Sequence, residues 1–248
     1  MRTALEPWRA ESIGLVPTMG ALHAGHLSLI AAARAECSTV VMSLFVNPAQ
    51  FGSSGDLNGY PRDEANDLAV AAEAGVDFVF APDASEMYPT RFQTWVEVAE
   101  LGAVLEGAHR PGHFRGVATI CLKLFNIVRP DVVYFGQKDA QQVAVLRQLI
   151  ADLALELELR ALPTVRDRDG LALSSRNVRL SPPERTLALT LPRALATRDP
   201  ESARSLLVEA GLDVDYVEIA PFDPPVLAAA VRVGSTRLID NVTLEEDS

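Results

Sequence analysis

Residues Val16 to Ile30, VPTMGALHAGHLSLI, decide how the chain is read. The preceding run, SIGLV, has strand character. Pro17 to Gly20 interrupt it, and apolar residues of helical spacing begin near His26. A strand that turns tightly into a helix is the first half of a βαβ unit. The turn also holds two of the four histidines of the chain, His23 and His26, with Gly25 between them. At i, i+3 they share a face if the helix reaches back to His23. A tight turn at Gly25 would instead start the helix close to His26. In both cases the imidazoles stand at the positive end of a helix, where backbone N–H groups favour an anion. Imidazole can donate a hydrogen bond to phosphate in either protonation state. The plainer alternative is one surface histidine and one capping histidine; the pairing at a β-to-α turn favours the anion site.

Outward from this turn the pattern repeats. Thr39–Val46 is a continuous apolar run of strand length, as in a strand covered on both faces. Pro61–Glu73 reads as a helix with Pro61 in its first turn, closed by Gly75. Asp77–Phe80, Asp131–Phe135 and Leu155–Leu159 read as strands; Gly116–Val128 and Asp139–Asp152 read as helices. Alternating β and α elements imply an α/β fold, a Rossmann-like doubly wound parallel sheet with its ligand crevice at the strand ends. After Arg166 the character changes. A polar segment, RDRDGLALSSRN, is followed by helical stretches near Pro183–Leu195 and Glu201–Ala210 and by the strand-like VDYVEIA, VLAAAVRV and TRLIDNV. The expected organisation is a nucleotide-binding domain over residues 1–166 and a smaller α+β C-terminal domain over 167–248.

The chain has 248 residues, 48% hydrophobic and 22% charged, with a net charge of −11. An acidic surface argues against broad nucleic-acid or anionic-membrane binding, though a pocket can be locally positive. MRTALEPWRA has no apolar core of signal-peptide length, and no run reaches the roughly 18 apolar residues of a membrane span. Cys37 and Cys121 lack CxxC spacing, so a disulfide framework or zinc site is not expected. Cys121 reads as a small core residue. A cytoplasmic protein is the expectation.

Three more clusters carry candidate chemistry. FVNPAQFG follows the second strand; Asn47 and Gln50 offer amides for a hydroxyl and a carboxylate, against the alternative of a plain Asn-Pro turn. YFGQKDAQQ again follows a strand. There Gly136 permits close approach, Lys138 suits a phosphate, Asp139 takes ribose hydroxyls or caps the helix, and Gln142 lies one turn beyond Lys138. LALSSRN places Ser174, Ser175 and Arg176 together as an anion clamp, or as a polar linker. HRPGHFRGV (with Arg110 and His113) and YPRDEAND (with Asp63 and Asp67) read by default as solvated charged faces.

HAGH resembles the HxGH signature of the nucleotidylyltransferase superfamily, and LSSRN resembles its second signature loop. VPTMGALHAGH, FVNPAQFG, YPRD, RPGHFRGV, FGQKDAQQ, DGLALSSRN and TRLIDN, in that order, are similar to the pantothenate synthetase (pantoate–β-alanine ligase) family. The resemblance implies attack of pantoate carboxylate on the α-phosphorus of ATP, giving pantoyl adenylate and pyrophosphate. The amine of β-alanine then displaces AMP. It implies phosphate contacts at His23, His26, Lys138, Ser174, Ser175 and Arg176, with His26 as the usual proton donor. Gly20, Gly136, Gln137 and Asp139 then belong to the nucleotide site, with Val165 and Leu173 at the adenine side. Pro17, Thr18 and Met19 form a wall shared by ATP and pantoate. Gln50 and Gln142 bind pantoate, Gln50 also serving β-alanine, with Asn47 and Arg110 beside them. Mg²⁺ is expected mainly on the ATP phosphates, with Asp67 as a protein ligand. The C-terminal domain is expected to act as a lid, and the resemblance suggests a homodimer.

Four departures from the family pattern stand out. Only about a dozen residues precede the first motif, Ala49 replaces a usual methionine, Ala140 a usual aromatic, and Asn66 a common acid. Two other readings compete. An enzyme adenylylating a phosphorylated acceptor would need more acceptor cations, which the neutral Gln50 and Gln142 do not supply. A non-catalytic nucleotide-binding module would not need both histidines, Lys138 and the whole SSRN loop.

Overall fold

The computed structural model describes residues 1–52 and 54–244. The chain runs α1 (Arg2–Leu5), β1 (Ile13–Thr18), α2 (Ala24–Glu36), β2 (Thr39–Leu44), α3 (Ser54–Asn58), α4 (Glu64–Glu73) and β3 (Phe78–Phe80). Then come α5 (Ala84–Met87), α6 (Glu106–His109), α7 (His113–Val128), β4 (Val132–Gly136), α8 (Ala140–Asp152) and β5 (Glu158–Leu162). The C-terminal part is α9 (Pro182–Ala188), α10 (Thr190–Leu195), α11 (Pro200–Glu209), β6 (Asp213–Ala220), β7 (Val226–Val233) and β8 (Thr236–Thr243). Two compact units result. The first comprises Met1–Gly136 and Val145–Leu162, the second Gln137–Ala144 and Pro163–Ser248. The expected division lay after residue 166; residues 245–248 of that C-terminal domain lie outside the described residues.

In the first unit five strands pair in parallel, in the order β3-β2-β1-β4-β5. β1 is central because its residues are apolar on both faces; Ile13 to Val16 are all buried. The order reverses between β1 and β4, and such a switch point opens a crevice beyond the carboxyl ends of those strands. β1 delivers Thr18 to this edge and β4 delivers Gly136. The helix α2 lays Leu29, Ile30 and Ala33 against Val16, Val40, Met42 and Tyr134. Enclosing a side chain such as Ile30 or Met42 contributes about 1.5–3 kcal/mol, enough to fix where α2 starts relative to the sheet edge. Cys121 is buried in α7, as expected of a small core residue.

The second unit is a three-stranded antiparallel sheet, β6-β7-β8, with helices on one face. From α10 and α11, Leu191, Leu195, Ala203 and Leu207 meet Val217, Leu227, Val231 and Leu238. Among the described residues, no helix is long and apolar enough to cross a membrane.

Some boundaries differ from those the sequence suggested. α4 starts at Glu64, beyond Pro61, because Asp63 accepts the Asn66 N–H as an N-cap at 3.1 Å. β5 lies three residues later than Leu155–Leu159, where its pairing with β4 places Glu158 beside Val132. The single helix expected over Pro183–Leu195 divides at Leu189 into α9 and α10. Pro192 has no N–H to offer the carbonyl four residues back.

Candidate active site

At the carboxyl end of β1 the chain turns on two residues of positive φ, Gly20 (84°) and Ala21 (53°). Asp67, 1% exposed, holds that turn from α4. Its carboxylate accepts the Ala21 N–H at 2.9 Å and the Leu22 N–H at 2.8 Å. Gly20 is required twice, by its φ and because a Cβ would stand 2.7 Å from Asp67 Oδ2. Thr18 adds a bond from Oγ1 to the Ser43 carbonyl at 2.7 Å. The solvated face expected at Asp67 is therefore incorrect: the carboxylate is enclosed, and both of its oxygens serve backbone amides of the turn.

The turn delivers the two histidines. α2 begins at Ala24 with His23 as its N-cap. His23 Nδ1 accepts the Gly25 N–H at 3.2 Å, and His26 Nδ1 accepts the His23 N–H at 3.3 Å. The rings lie 4.1 Å apart between centroids. Since Nδ1 is an acceptor in both, the neutral rings carry their proton on Nε2. Gly25 has a role other than the tight turn expected of it. Its φ is not positive; a Cβ there would stand 2.9 Å from His23 Cε1. The glycine makes room for the ring.

Gln50 closes a one-turn helix after β2, Pro48–Gln50, capped by the Asn47 side chain. It is gripped at both ends. Asn47 Nδ2 donates to Gln50 Oε1 at 2.9 Å and to the Gly116 carbonyl at 3.1 Å, while Gln50 Nε2 donates to Met19 Sδ at 3.2 Å. The Gln50 carbonyl accepts from His113 Nδ1 at 2.8 Å and from Arg110 Nη2 at 3.3 Å. A carbonyl only accepts, so His113 carries its proton on Nδ1, the reverse of His23 and His26. Arg110 also meets the buried Glu106 at 3.8 Å. Arg110 and His113 are thus half-buried clamps on the Gln50 turn, where a solvated face was expected. The plain Asn-Pro turn is likewise too little: Asn47 is 1% exposed and bonded on three sides.

Tyr88, which carries no signal in the sequence, and Gly116, which lies within RPGHFRGV, belong to this cluster. The Tyr88 hydroxyl donates to Asn47 Oδ1 at 2.7 Å. Its ring is stacked by Trp95 and met edge-on by Phe92. Burial, then the neighbouring Cys121, pushes the phenol up to about 12, against the lowering pull of its bond to Asn47. Gly116 lets α7 approach so closely that a Cβ would stand 2.4 Å from the Ala49 carbonyl oxygen.

The remaining candidates fall in the second unit, apart from Pro17 in β1 and Gly136, which ends β4 and has open space where a Cβ would project. Gln137–Asp139 form a 3₁₀ turn leading into α8. Lys138 Nζ lies 3.8 Å from Asp139 Oδ1, and the lysine side chain is 18% exposed against 47% for the acid. Gln142 is half-buried in the first turn of α8. Val165 and Leu173 face each other across a hairpin, the Leu173 N–H donating to the Val165 carbonyl at 3.0 Å. Arg185 braces that hairpin through Asp167 and Asp169 at 2.6 and 2.8 Å. The chain then passes into Ser174, whose Oγ accepts the Arg176 N–H at 3.2 Å, and Asn177, whose Nδ2 returns to the Ala172 carbonyl at 3.0 Å. Ser174, Ser175 and Arg176 therefore leave a braced hairpin, not a loose linker.

The profile of the family described as pantoate-beta-alanine ligase matches residues 1–243. The chain belongs to the pantoate–β-alanine ligase family. Curated relatives agree. The pantothenate synthetase of Corynebacterium glutamicum is 51% identical over 94% of this chain and 94% of its own length. That of Acidobacterium capsulatum is 51% identical over 97% and 89%. Among solved structures, pantothenate synthetase from Thermus thermophilus superposes with a TM-score of 0.91 at 44% identity, covering 95% of this chain and 94% of that one. The ligase from Francisella tularensis, complexed with β-γ ATP and β-alanine, gives 0.87 at 36% identity over 98% and 92%. As a pantoate–β-alanine ligase, the chain joins pantoate to β-alanine with ATP as a substrate.

Proposed function

We propose that the switch-point edge of the first unit takes the ATP phosphates and pantoate; the family resemblance also gives nucleotide contacts to the 137–139 turn and the 174–176 segment of the second unit. The observation that carries this is the reciprocal capping of α2. By committing both Nδ1 atoms to backbone amides, it fixes His23 and His26 as Nε2–H donors at a helix N-terminus. In the first step a pantoate carboxylate oxygen bonds to the α-phosphorus as the bond to the β-bridging oxygen breaks, and pyrophosphate leaves. Negative charge grows on that leaving group, and the His23 and His26 donors, Lys138 and Arg176 offset it. Protein proton transfer is not required in this step, so His26 acts by hydrogen bonding.

Gln50 holds pantoate with its amide orientation set by Asn47, and Gln142 is its counterpart on α8. Pro17, Thr18 and Met19 form the adjoining wall. Gly20 shapes the turn, and Gly136 leaves the space a nucleotide needs. Asp139, with Gln137, takes the ribose, and Val165 and Leu173 the adenine. Ser174 and Ser175 add hydroxyl donors, and Arg110 holds the Gln50 turn. In the second step the amine nitrogen of β-alanine attacks the acyl carbon, the bond to AMP breaks, and the amine gives up a proton. Mg²⁺ would neutralise phosphate charge. Among the described residues no three His, Cys, Asp or Glu side chains gather into a cage, which suits an ion carried on phosphate oxygens. Asp67 then supports the turn in preference to ligating metal. The family resemblance supports a cytoplasmic homodimer, and light scattering on the purified chain tests the dimer.

The experiment is AMP and pantothenate formation from ATP, Mg²⁺, pantoate and β-alanine, each omitted in turn. Product requiring all four is expected. Pyrophosphate release that does not need pantoate would overturn the adenylate route.

A further inference from the structure

The segment TRLIDN near the C-terminus has no part in the reaction as described, yet two of its residues are among the few buried polar groups. Asp240 is 2% exposed and Asn241 5% exposed. Both lie mid-strand in β8, opposite Ala229 and Ala228 of β7. Successive side chains of a strand leave on opposite faces, so the two residues serve different neighbours.

Asn241 reaches the Lys138 turn. Its Nδ2 donates to the Gln137 carbonyl and to the Lys138 carbonyl, each at 2.9 Å. One amide thereby spends both N–H groups on consecutive carbonyls of the 3₁₀ turn and fixes the backbone from which the lysine projects. Asp240 reaches the hairpin. It takes Arg166 in a two-pronged pair, at 2.6 Å from Nη1 and 3.1 Å from Nη2, and accepts the Asn241 N–H at 2.8 Å. Arg166 in turn donates to the Gly170 carbonyl at 3.3 Å and pairs through its backbone with Ala172. A buried carboxylate so fully bonded is expensive to displace. Lys138 and the hairpin that leads to Ser174–Arg176 are therefore anchored on adjacent residues of one strand, all within the second unit.

We propose that Asn241 is a positioning residue for Lys138, seated on β8 by the Asp240–Arg166 pair, and that it sets the rate of adenylate formation through that lysine. The proposal rests on the reading that Lys138 meets ATP phosphate. A cation misplaced by a fraction of an ångström stabilises the developing charge less, while substrate affinity away from the phosphates is untouched.

The test is pantoate-dependent pyrophosphate release, followed at saturating ATP in wild type, Asn241→Ala, Lys138→Ala and the double variant. Asn241→Ala is expected to lower kcat about tenfold with KM for pantoate unchanged, and Lys138→Ala to lower it about 100-fold. The double variant is expected to be no slower than Lys138→Ala, because a residue that acts through the lysine has nothing left to place. A further tenfold loss in the double variant, or full activity in Asn241→Ala, would overturn the proposal. If Lys138→Ala itself keeps the wild-type rate, the phosphate reading falls, whatever Asn241 does. Asn241→Ser keeps one donor and a small volume, and is expected to lose less rate than Asn241→Ala. Loss of the folded state in both Asn241 variants by thermal melting would assign the residue to the fold and count against the proposal.

Discussion

The Tyr88 hydroxyl donates to Asn47 Oδ1 at 2.7 Å, across 41 residues of sequence. Through that bond Asn47 is turned so that its amide nitrogen faces Gln50 Oε1, which leaves Gln50 Nε2 on the Met19 side. The phenol therefore sets the polarity of an amide it does not touch. Tyr88→Phe keeps the ring and its packing and removes only this bond, a net loss of about 0.5–1.5 kcal/mol. The expected result is a rise in KM for pantoate of about 2- to 10-fold with kcat nearly unchanged. Steady-state kinetics with pantoate as the varied substrate checks it; an unchanged KM would show that Gln50 holds its orientation without Tyr88.

Gly25→Ala separates stability from activity. Alanine is better than glycine in a helix by up to about 1 kcal/mol, which offsets a lost N-cap worth about 0.5–2 kcal/mol, so the melting temperature should change by only a few degrees. The new Cβ, 2.9 Å from His23 Cε1, must push the imidazole away from its cap. Activity is expected to fall about tenfold or more through the displaced donor. Melting and turnover measured on one preparation decide the matter, and a fully active variant would count against the proposed contact of His23 with phosphate.

Asp67→Asn replaces one acceptor oxygen with an N–H₂ facing the backbone N–H of Ala21 or Leu22. One buried donor loses its partner, at a cost of about 1–3 kcal/mol. Urea unfolding should show that loss as a lower midpoint at constant slope. Equal stability would mean the turn keeps its shape without the carboxylate.

Tyr88 and Tyr134 should stay protonated well into the alkaline range. Burial raises both, Tyr88 to about 12 and Tyr134 above the ordinary phenol range, the latter helped by its bonds to Cys37 and Glu36. A folded pKa above the unfolded value of about 10 means that stability is unaffected below pH 10 and falls as pH rises from there towards the folded pKa, because the unfolded chain releases the proton first. At pH 11 the phenolate absorbance assigned by difference to Tyr88→Phe should be absent in the folded protein and present in urea. Equal signals would place the phenol in water.

Four strands of the five-stranded sheet, β1 to β4, were legible because they are largely apolar runs followed closely by Pro, Gly or Asn. The same logic placed His23, Gln50 and Lys138 at strand ends, since each follows its strand within a few residues. The roles that the sequence did not disclose belong to residues held by long-range bonds. Asp67 meets Ala21 across 46 residues and Asn241 meets Gln137 across 104. Such carboxylates and amides look like surface residues until the fold brings a backbone amide or carbonyl to them. β5 was misplaced for a related reason. It is an edge strand, half exposed, and its register is set by β4 more than by its own pattern.

The mutual capping of His23 and His26 has a consequence for how substitutions there are interpreted. Each imidazole accepts an amide proton at the start of α2, one from Gly25 and the other from His23 itself. Removing either ring frees an amide as well as deleting a donor, so a single replacement reports on the pair. The losses from two single replacements will sum to more than the loss from the double one, and neither number belongs to one histidine.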